Sequence, residues 1–258
     1  DRANDIYRDD VGLVFRIVQI TDLRNSLINR LSAGTNNCAD VRTTTDAAAA
    51  EASKAKYTGQ VVVFFRNFQY KDQLDAAGAE TGDCVLTTPP SGAFSDETMP
   101  YLAYFSGAGG GEDFAHEVGH YFGLSHPFRR EPKTEAAALD LIEAFLVSNP
   151  NEPWQNVFDG DGISDTAPNA GGKLYIAVSG AANTCAGSGQ IFLSRSGRSG
   201  YLFEYDRRNV MSYFKGCPYN DADPATRAEL TPMQSEKIWN TISSHHPMLL
   251  ATPPLPIP

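Results

Sequence analysis

Two dense runs of β-branched and apolar residues mark the first third of the chain. VGLVFRIVQI, residues 11 to 20, is apolar enough for a strand. VVVFFRNF, residues 61 to 68, is a continuous apolar run of strand length, which predicts a strand buried on both faces. A helix is expected from about Asp22 to Leu31, and the Ala-rich stretch from Asp46 to Lys56 predicts another, with Asp46 as its N-cap. Shorter strands are expected at 84 to 88 and 99 to 105. The pattern then changes period. Residues 133 to 148 place Leu139, Ile142, Phe145 and Leu146 on one side of an amphipathic helix, whose role reads as packing. ATPPLPIP closes the sequence as an extended tail. Strands and helices in this mixture predict an α/β (α+β) fold.

Composition narrows the field. With 258 residues and 41% hydrophobic content, the chain can bury a sizeable core as one domain, residues 1–258. A net charge of −10 argues against nucleic acid or an anionic membrane as partner, because both reward Lys/Arg surfaces. No apolar run approaches the ~18 residues of a membrane span. The first residue is Asp1, which predicts that targeting and pro-segments have been removed. Cys38, Cys84, Cys185 and Cys217 are an even set without C-x-x-C spacing, so two disulfides in an oxidising, extracellular setting are expected over a structural zinc site. Four cysteines allow three pairings.

The chemistry concentrates in HEVGHYFGLSH, residues 116 to 126. On a helix, His116 and His120 lie one above the other on the same face and can grip one ion. Glu117 is one step round, within reach of a water at that ion. A tetrahedral site needs its third ligand from another direction, so the helix must stop. Gly123 permits the positive φ that ends it, and the returning chain presents His126. Three neutral imidazoles with a fourth position open predict a catalytic zinc. The glycine-rich SGAGGGED, residues 106 to 113, joins the preceding strand to this helix; Glu112 and Asp113 fall in its first turn, where the helix dipole favours negative charge. No Lys-Ser/Thr follows, so it is not a P-loop. His245 and His246 read as solvated or packing residues.

H-E-x-x-H-x-x-G-x-x-H resembles the metzincin zinc endopeptidases, and more of the chain fits. NVMSYF, residues 209 to 214, is similar to their Met-turn, with Met211 as the apolar floor under the histidines and Tyr213 beside the metal. His126-Pro127 and the M-S-Y run look like serralysins. More features resemble the pappalysin family, which includes ulilysin-like enzymes: Asn209, Met211 and Tyr213, then Cys217, DGISDT at 161 to 166, and LTPMQSEKIW at 230 to 239. The interval from His126 to Met211 is longer than in a compact member, with the 133–148 helix as the insertion. The resemblance implies a twisted mixed sheet with helices in an N-terminal lobe, residues 1–123, and an irregular, mostly helical C-terminal lobe, residues 124–258, with the zinc cleft between them. It implies that Cys185 pairs with Cys217, leaving Cys38 for Cys84. It also implies a calcium ion on Asp161, Asp165, Thr166 and the Ile163 carbonyl, against the plainer reading of a solvated acidic turn capped by Asp side chains.

The expected activity is that of a secreted zinc endopeptidase acting on protein or peptide substrates bound extended along a sheet edge, with a monomer as the default state. Zinc lowers the pKa of its water toward ~7, Glu117 moves the proton, and the resemblance implies that Tyr213 stabilises the oxyanion. Three rivals stand beside this reading, one of them a latent form whose latency device lay in a removed pro-segment. In a gluzincin, Glu143 would replace His126 as third ligand. A catalytically silent metzincin-fold binding module would keep the scaffold without turnover.

Overall fold

A computed structural model describes residues 2–20, 30–32, 50–51, 54–57, 59–66, 68–74, 80–87, 93–94, 101–105, 111–182, 189–195, 200–213 and 228–251. The chain forms two compact units, one of Asp1–Val14 with Leu124–Ile238, the other of Phe15–Gly123 with Trp239–Pro258. Among the described residues no helix is long and apolar enough to cross a membrane.

The second of these units holds two three-stranded sheets. In one, β1 (Arg30–Ser32) runs parallel to β3 (Phe68–Leu74), which pairs antiparallel with β4 (Glu80–Thr87). In the other, β2 (Val63–Arg66) runs parallel to β6 (Leu102–Phe105), whose far side pairs antiparallel with β5 (Ala93–Phe94). Phe64 and Leu102 are buried, and the Phe64 ring meets Tyr101 edge-on at 5.4 Å. Phe65, one residue on, is 67% exposed, so the apolar run is not buried on both faces. Successive side chains of a strand point to opposite faces, so buried Phe64 and exposed Phe65 mark one covered and one open face. Leu31 lies in β1 rather than at the end of a helix; residues 21–29 lie outside the described residues. Residues 50, 51 and 54–56 are helical as expected, whereas the Asp46 cap lies outside them. From β6 the chain proceeds to the helix α2 (Gly111–Tyr121), which carries the histidine motif.

The other unit opens with a helix the apolar pattern does not announce, α1 (Arg2–Asp10), seated on Ala3, Ile6 and Tyr7. Residues 13–20 after it are not a strand. Val14, Ile17, Val18 and Ile20 are 53–85% exposed there. β propensity expresses packing on a pleated, half-buried surface, and the exposure of these four side chains shows that they lack such a surface.

The core of this unit lies under α3 (Glu135–Ser148) and α4 (Gly171–Ser179), packed on the antiparallel pair β7 (Gln190–Leu193) and β8 (Tyr201–Glu204). Ala138, Leu139 and Ile142 of α3 meet Phe158, Leu174, Leu193 and Phe203 there. Thr134 caps α3 by accepting the Ala137 N–H at 3.2 Å. Packing is therefore the role of this helix, with Leu139 and Ile142 buried and Phe145 and Leu146 partly so. α4 ends on Gly180 at φ +67, the left-handed stop that glycine tolerates best. The last helices are α5 (Pro232–His245) and α6 (Pro247–Ala251).

Candidate active site

Helix α2 buries Ala115, His116, Val118 and Tyr121, while Glu112 and Asp113 sit in its first turn. It stops where the motif requires. The Phe122 N–H points at the Val118 and Gly119 carbonyls, the Gly123 N–H donates to His120 O at 2.9 Å, and Gly123 takes φ +83. The turn that follows carries the chain to His126.

The side chains of His116, His120 and His126 each offer a ring nitrogen, and these atoms lie within 4.8 Å of one another. His116 Nε2 and His120 Nε2 are 3.1 Å apart, with the rings nearly perpendicular at 88°. Two nitrogens bound to one tetrahedral zinc at ~2.0–2.1 Å would be separated by roughly 3.3 Å. The pair on the helix therefore matches the span of one ion, and the donor set of three imidazoles is one that zinc accepts. His116 is buried; His120 and His126 are partly open to solvent, which leaves room for a substrate-side position. Among the described residues this is the group of three or more His, Cys, Asp or Glu side chains so placed. Glu143 is elsewhere engaged: its Oε2 accepts from Arg195 Nη1 at 3.1 Å, and Asp140 takes the other guanidinium nitrogen.

His126 is held from two sides. Phe128 lies parallel to its ring at 4.8 Å, and Tyr213 meets the imidazole at 4.9 Å and Phe128 at 4.7 Å. Behind the backbone of this turn lies Gly160, a residue that the zinc motif does not include. A Cβ there would fall 2.3 Å from the Phe128 carbonyl carbon and 2.5 Å from the His126 and Phe128 oxygens. Only glycine lets the two chain segments approach this closely. Arg129 N donates to Phe158 O at 3.1 Å and Asn169 N to Pro127 O at 3.2 Å, so the 158–169 segment brackets the third histidine. The D-G-D-G run was visible in the sequence, but which of its glycines faced backbone was not.

Met211 is fully buried in the turn at 209–213. Asn209 shapes that turn: its Oδ1 accepts the Met211 N–H at 2.8 Å. Its amide also pairs head-to-tail with Gln234, Nδ2 to Oε1 at 3.2 Å and Gln234 Nε2 to Oδ1 at 3.3 Å, both side chains buried. Gln234 belongs to a capping box as well. Thr231 Oγ1 accepts the Gln234 N–H at 3.2 Å, and Gln234 Oε1 accepts the Thr231 N–H at 3.0 Å, with Pro232 at the first helical position. The T-P-M-Q segment thus starts α5 and ties it to the Met211 turn. Tyr213 is 42% exposed.

The acidic segment splits. Asp161 gathers the Ile163 N–H at 3.0 Å and the Thr166 hydroxyl, and Thr166 Oγ1 also lies 2.8 Å from the Ile163 carbonyl. Asp165 turns instead to the start of α5, accepting from Thr231 Oγ1 at 2.7 Å and Met233 N at 3.0 Å. Asp159 closes an Asx-turn on the N–H groups of Asp161 and Gly162. Burial pushes the Asp161 carboxyl up to about 6, with the Ile163 and Thr166 hydrogen bonds opposing and the neighbouring Asp159 charge adding to the rise. Cys38, Cys185, Cys217 and the Cys84 side chain lie outside the described residues, as do both expected pairings.

Residues 1–127 match the sequence profile of the reprolysin-like metallopeptidases of family M12B, a match that ends just past the third histidine. No curated protein and no solved structure matches the chain. The match and the histidine triad together support a metzincin-like zinc metallopeptidase, a hydrolase whose substrates are proteins or peptides. The mixed α/β fold is consistent with a metzincin-type catalytic domain.

Proposed function

We propose that this chain is a secreted zinc endopeptidase in which Glu117 is the general base and acid and Tyr213 assists at the oxyanion. The observation that carries the proposal is the convergence of His116, His120 and His126 within 4.8 Å. These three would hold zinc, which when bound supplies a Lewis acid that lowers the pKa of water toward ~7 and polarises the scissile carbonyl. The remaining work falls to side chains. The Glu117 carboxylate removes a proton from the attacking water as its oxygen bonds to the carbonyl carbon. As the C–N bond breaks, Glu117 returns that proton to the leaving amine, so the carboxylate is regenerated. Tyr213, seated against His126, donates its hydroxyl hydrogen to the developing oxyanion. Phe128 and Tyr213 limit how the His126 ring can turn.

Within the metzincins we favour a pappalysin-like enzyme over a serralysin-like one. The supporting features lie beyond residue 127, where the reprolysin-like match does not reach. Chief among them is the buried Asn209–Gln234 amide pair, which links two segments of that resemblance. A calcium ion, if part of this enzyme, would sit at Asp161, Thr166 and the Ile163 carbonyl. Asp165 would first have to release α5. Four cysteines without metal spacing support two disulfides and export.

The test is cleavage of a peptide library by zinc-loaded protein, with and without 1,10-phenanthroline. Chelator-sensitive hydrolysis is expected, and Glu117→Gln should keep one zinc per chain while losing at least about 10³-fold in kcat. Absence of cleavage by fully zinc-loaded protein would favour a silent binding module.

A further inference from the structure

An α-helix leaves its last four carbonyls without intrahelical partners, and in α2 these are Val118, Gly119, His120 and Tyr121. The Phe122 and Gly123 N–H groups serve the first three, at 3.0, 3.1 and 2.9 Å. The Tyr121 carbonyl is met by a side chain from 125 residues further along: His246 Nε2 lies 3.1 Å away. A carbonyl only accepts, so Nε2 carries the hydrogen. The ring is set for this contact. It stacks on Tyr121 at 4.3 Å and 14°, and meets Phe122 edge-on at 6.2 Å. Its backbone is pinned at the α5–α6 junction, where His246 N donates to Ile242 O at 3.1 Å and Leu249 N donates to His246 O at 2.9 Å.

We propose that His246 is a positioning residue for the metal centre: its Nε2–H fixes the last turn of α2, and so the direction in which the chain leaves Gly123 and delivers His126. The inference rests on reading the three histidines as zinc ligands. Tyr121 follows His120 directly and Gly123 lies three residues before His126, so a shift in this turn moves both ends of the triad. Partners that orient metal ligands from outside the coordination sphere are worth about 10–100-fold in metal affinity. Sequence spacing alone assigned His246 only a solvated or packing role, because nothing local marks a contact 125 residues distant.

The experiment compares His246→Gln with His246→Met in the full chain. Glutamine places an N–H the same number of bonds from Cβ as Nε2, methionine has the same length without a donor, and both lose the ring. Zinc dissociation constants are measured by competition with a chelating indicator, alongside melting of the zinc-free proteins. The methionine variant should bind zinc about tenfold more weakly than the glutamine variant, with the zinc-free melting points of the two alike. Equal zinc affinities would overturn the proposal. If the methionine variant does not fold, ¹H–¹⁵N spectra of the wild-type imidazoles decide: an exchange-protected His246 Nε2–H supports it, and an unprotonated Nε2 overturns it. Failure of wild-type protein to bind zinc at all would instead sink the underlying reading of the triad.

Discussion

Replacing Gly160 with alanine puts a single methyl group behind the third histidine. Its carbon would stand 2.3 Å from the Phe128 carbonyl carbon and 2.5 Å from two backbone oxygens, where ordinary contact begins at 3.4 Å. About 1 Å must therefore open, and the atoms in the way are main chain that no rotamer can move. The bonds Arg129 N to Phe158 O and Asn169 N to Pro127 O clamp both segments, so the strain falls on residues 126–128. Overpacking of this kind costs about 1–3 kcal/mol. A displacement near 1 Å at a catalytic group costs on the order of 100-fold in turnover. The matched control is Gly162→Ala, where a Cβ meets nothing within 4 Å but the residue sits at φ +64. That variant should lose about 1–2 kcal/mol of stability from backbone strain alone. Urea midpoints and zinc competition titrations separate the two. Both variants should be destabilised, yet only Gly160→Ala should bind zinc at least about tenfold more weakly. Equal zinc affinity for the pair would refute the idea that the 158–162 loop positions His126.

Asn209→Ala strands the buried Gln234 amide and should cost about 1–3 kcal/mol in urea unfolding; a change below 0.5 kcal/mol would mean the pair is not a stability element. Asp161 gives a pH signature. Its carboxyl rises from 3.8 unfolded to about 6 folded, so the native state holds the proton more tightly and stability declines as pH rises through that window. Asp161→Asn should flatten the fall in melting temperature between pH 4 and 6, and an unchanged slope would show that another group titrates there. Calcium bound at Asp161 competes with that proton, so added calcium should raise the melting temperature more at pH 7 than at pH 5. No shift at either pH would remove calcium from the account.

The zinc segment was legible because each of its constraints is local. Histidines four apart share a helical face, and a glycine three residues later can take φ +83. The amphipathic 133–148 pattern was legible for the same reason, and its Thr134 cap and buried Leu139 and Ile142 follow it closely. What failed depended on tertiary partners. VGLVFRIVQI has strand composition, but residues 13–20 are not a strand and Val14, Ile17, Val18 and Ile20 are exposed. Phe65 is exposed because it points off the face of β2 opposite to buried Phe64, and no run of apolar residues reveals that this face is uncovered at Phe65. The contacts that frame the site are likewise long-range: Asn209 with Gln234, Asp165 with Thr231, Gly160 with the His126–Phe128 backbone. Each residue type was conspicuous in the sequence; its partner was not.

Zinc-edge anomalous diffraction from crystals of metal-loaded protein tests the central claim most directly. One peak per chain is predicted, bounded by nitrogens of His116, His120 and His126 at ~2.0–2.1 Å with a further position open to solvent. Density for zinc at any other set of ligands, or none in protein shown to be saturated, would contradict it.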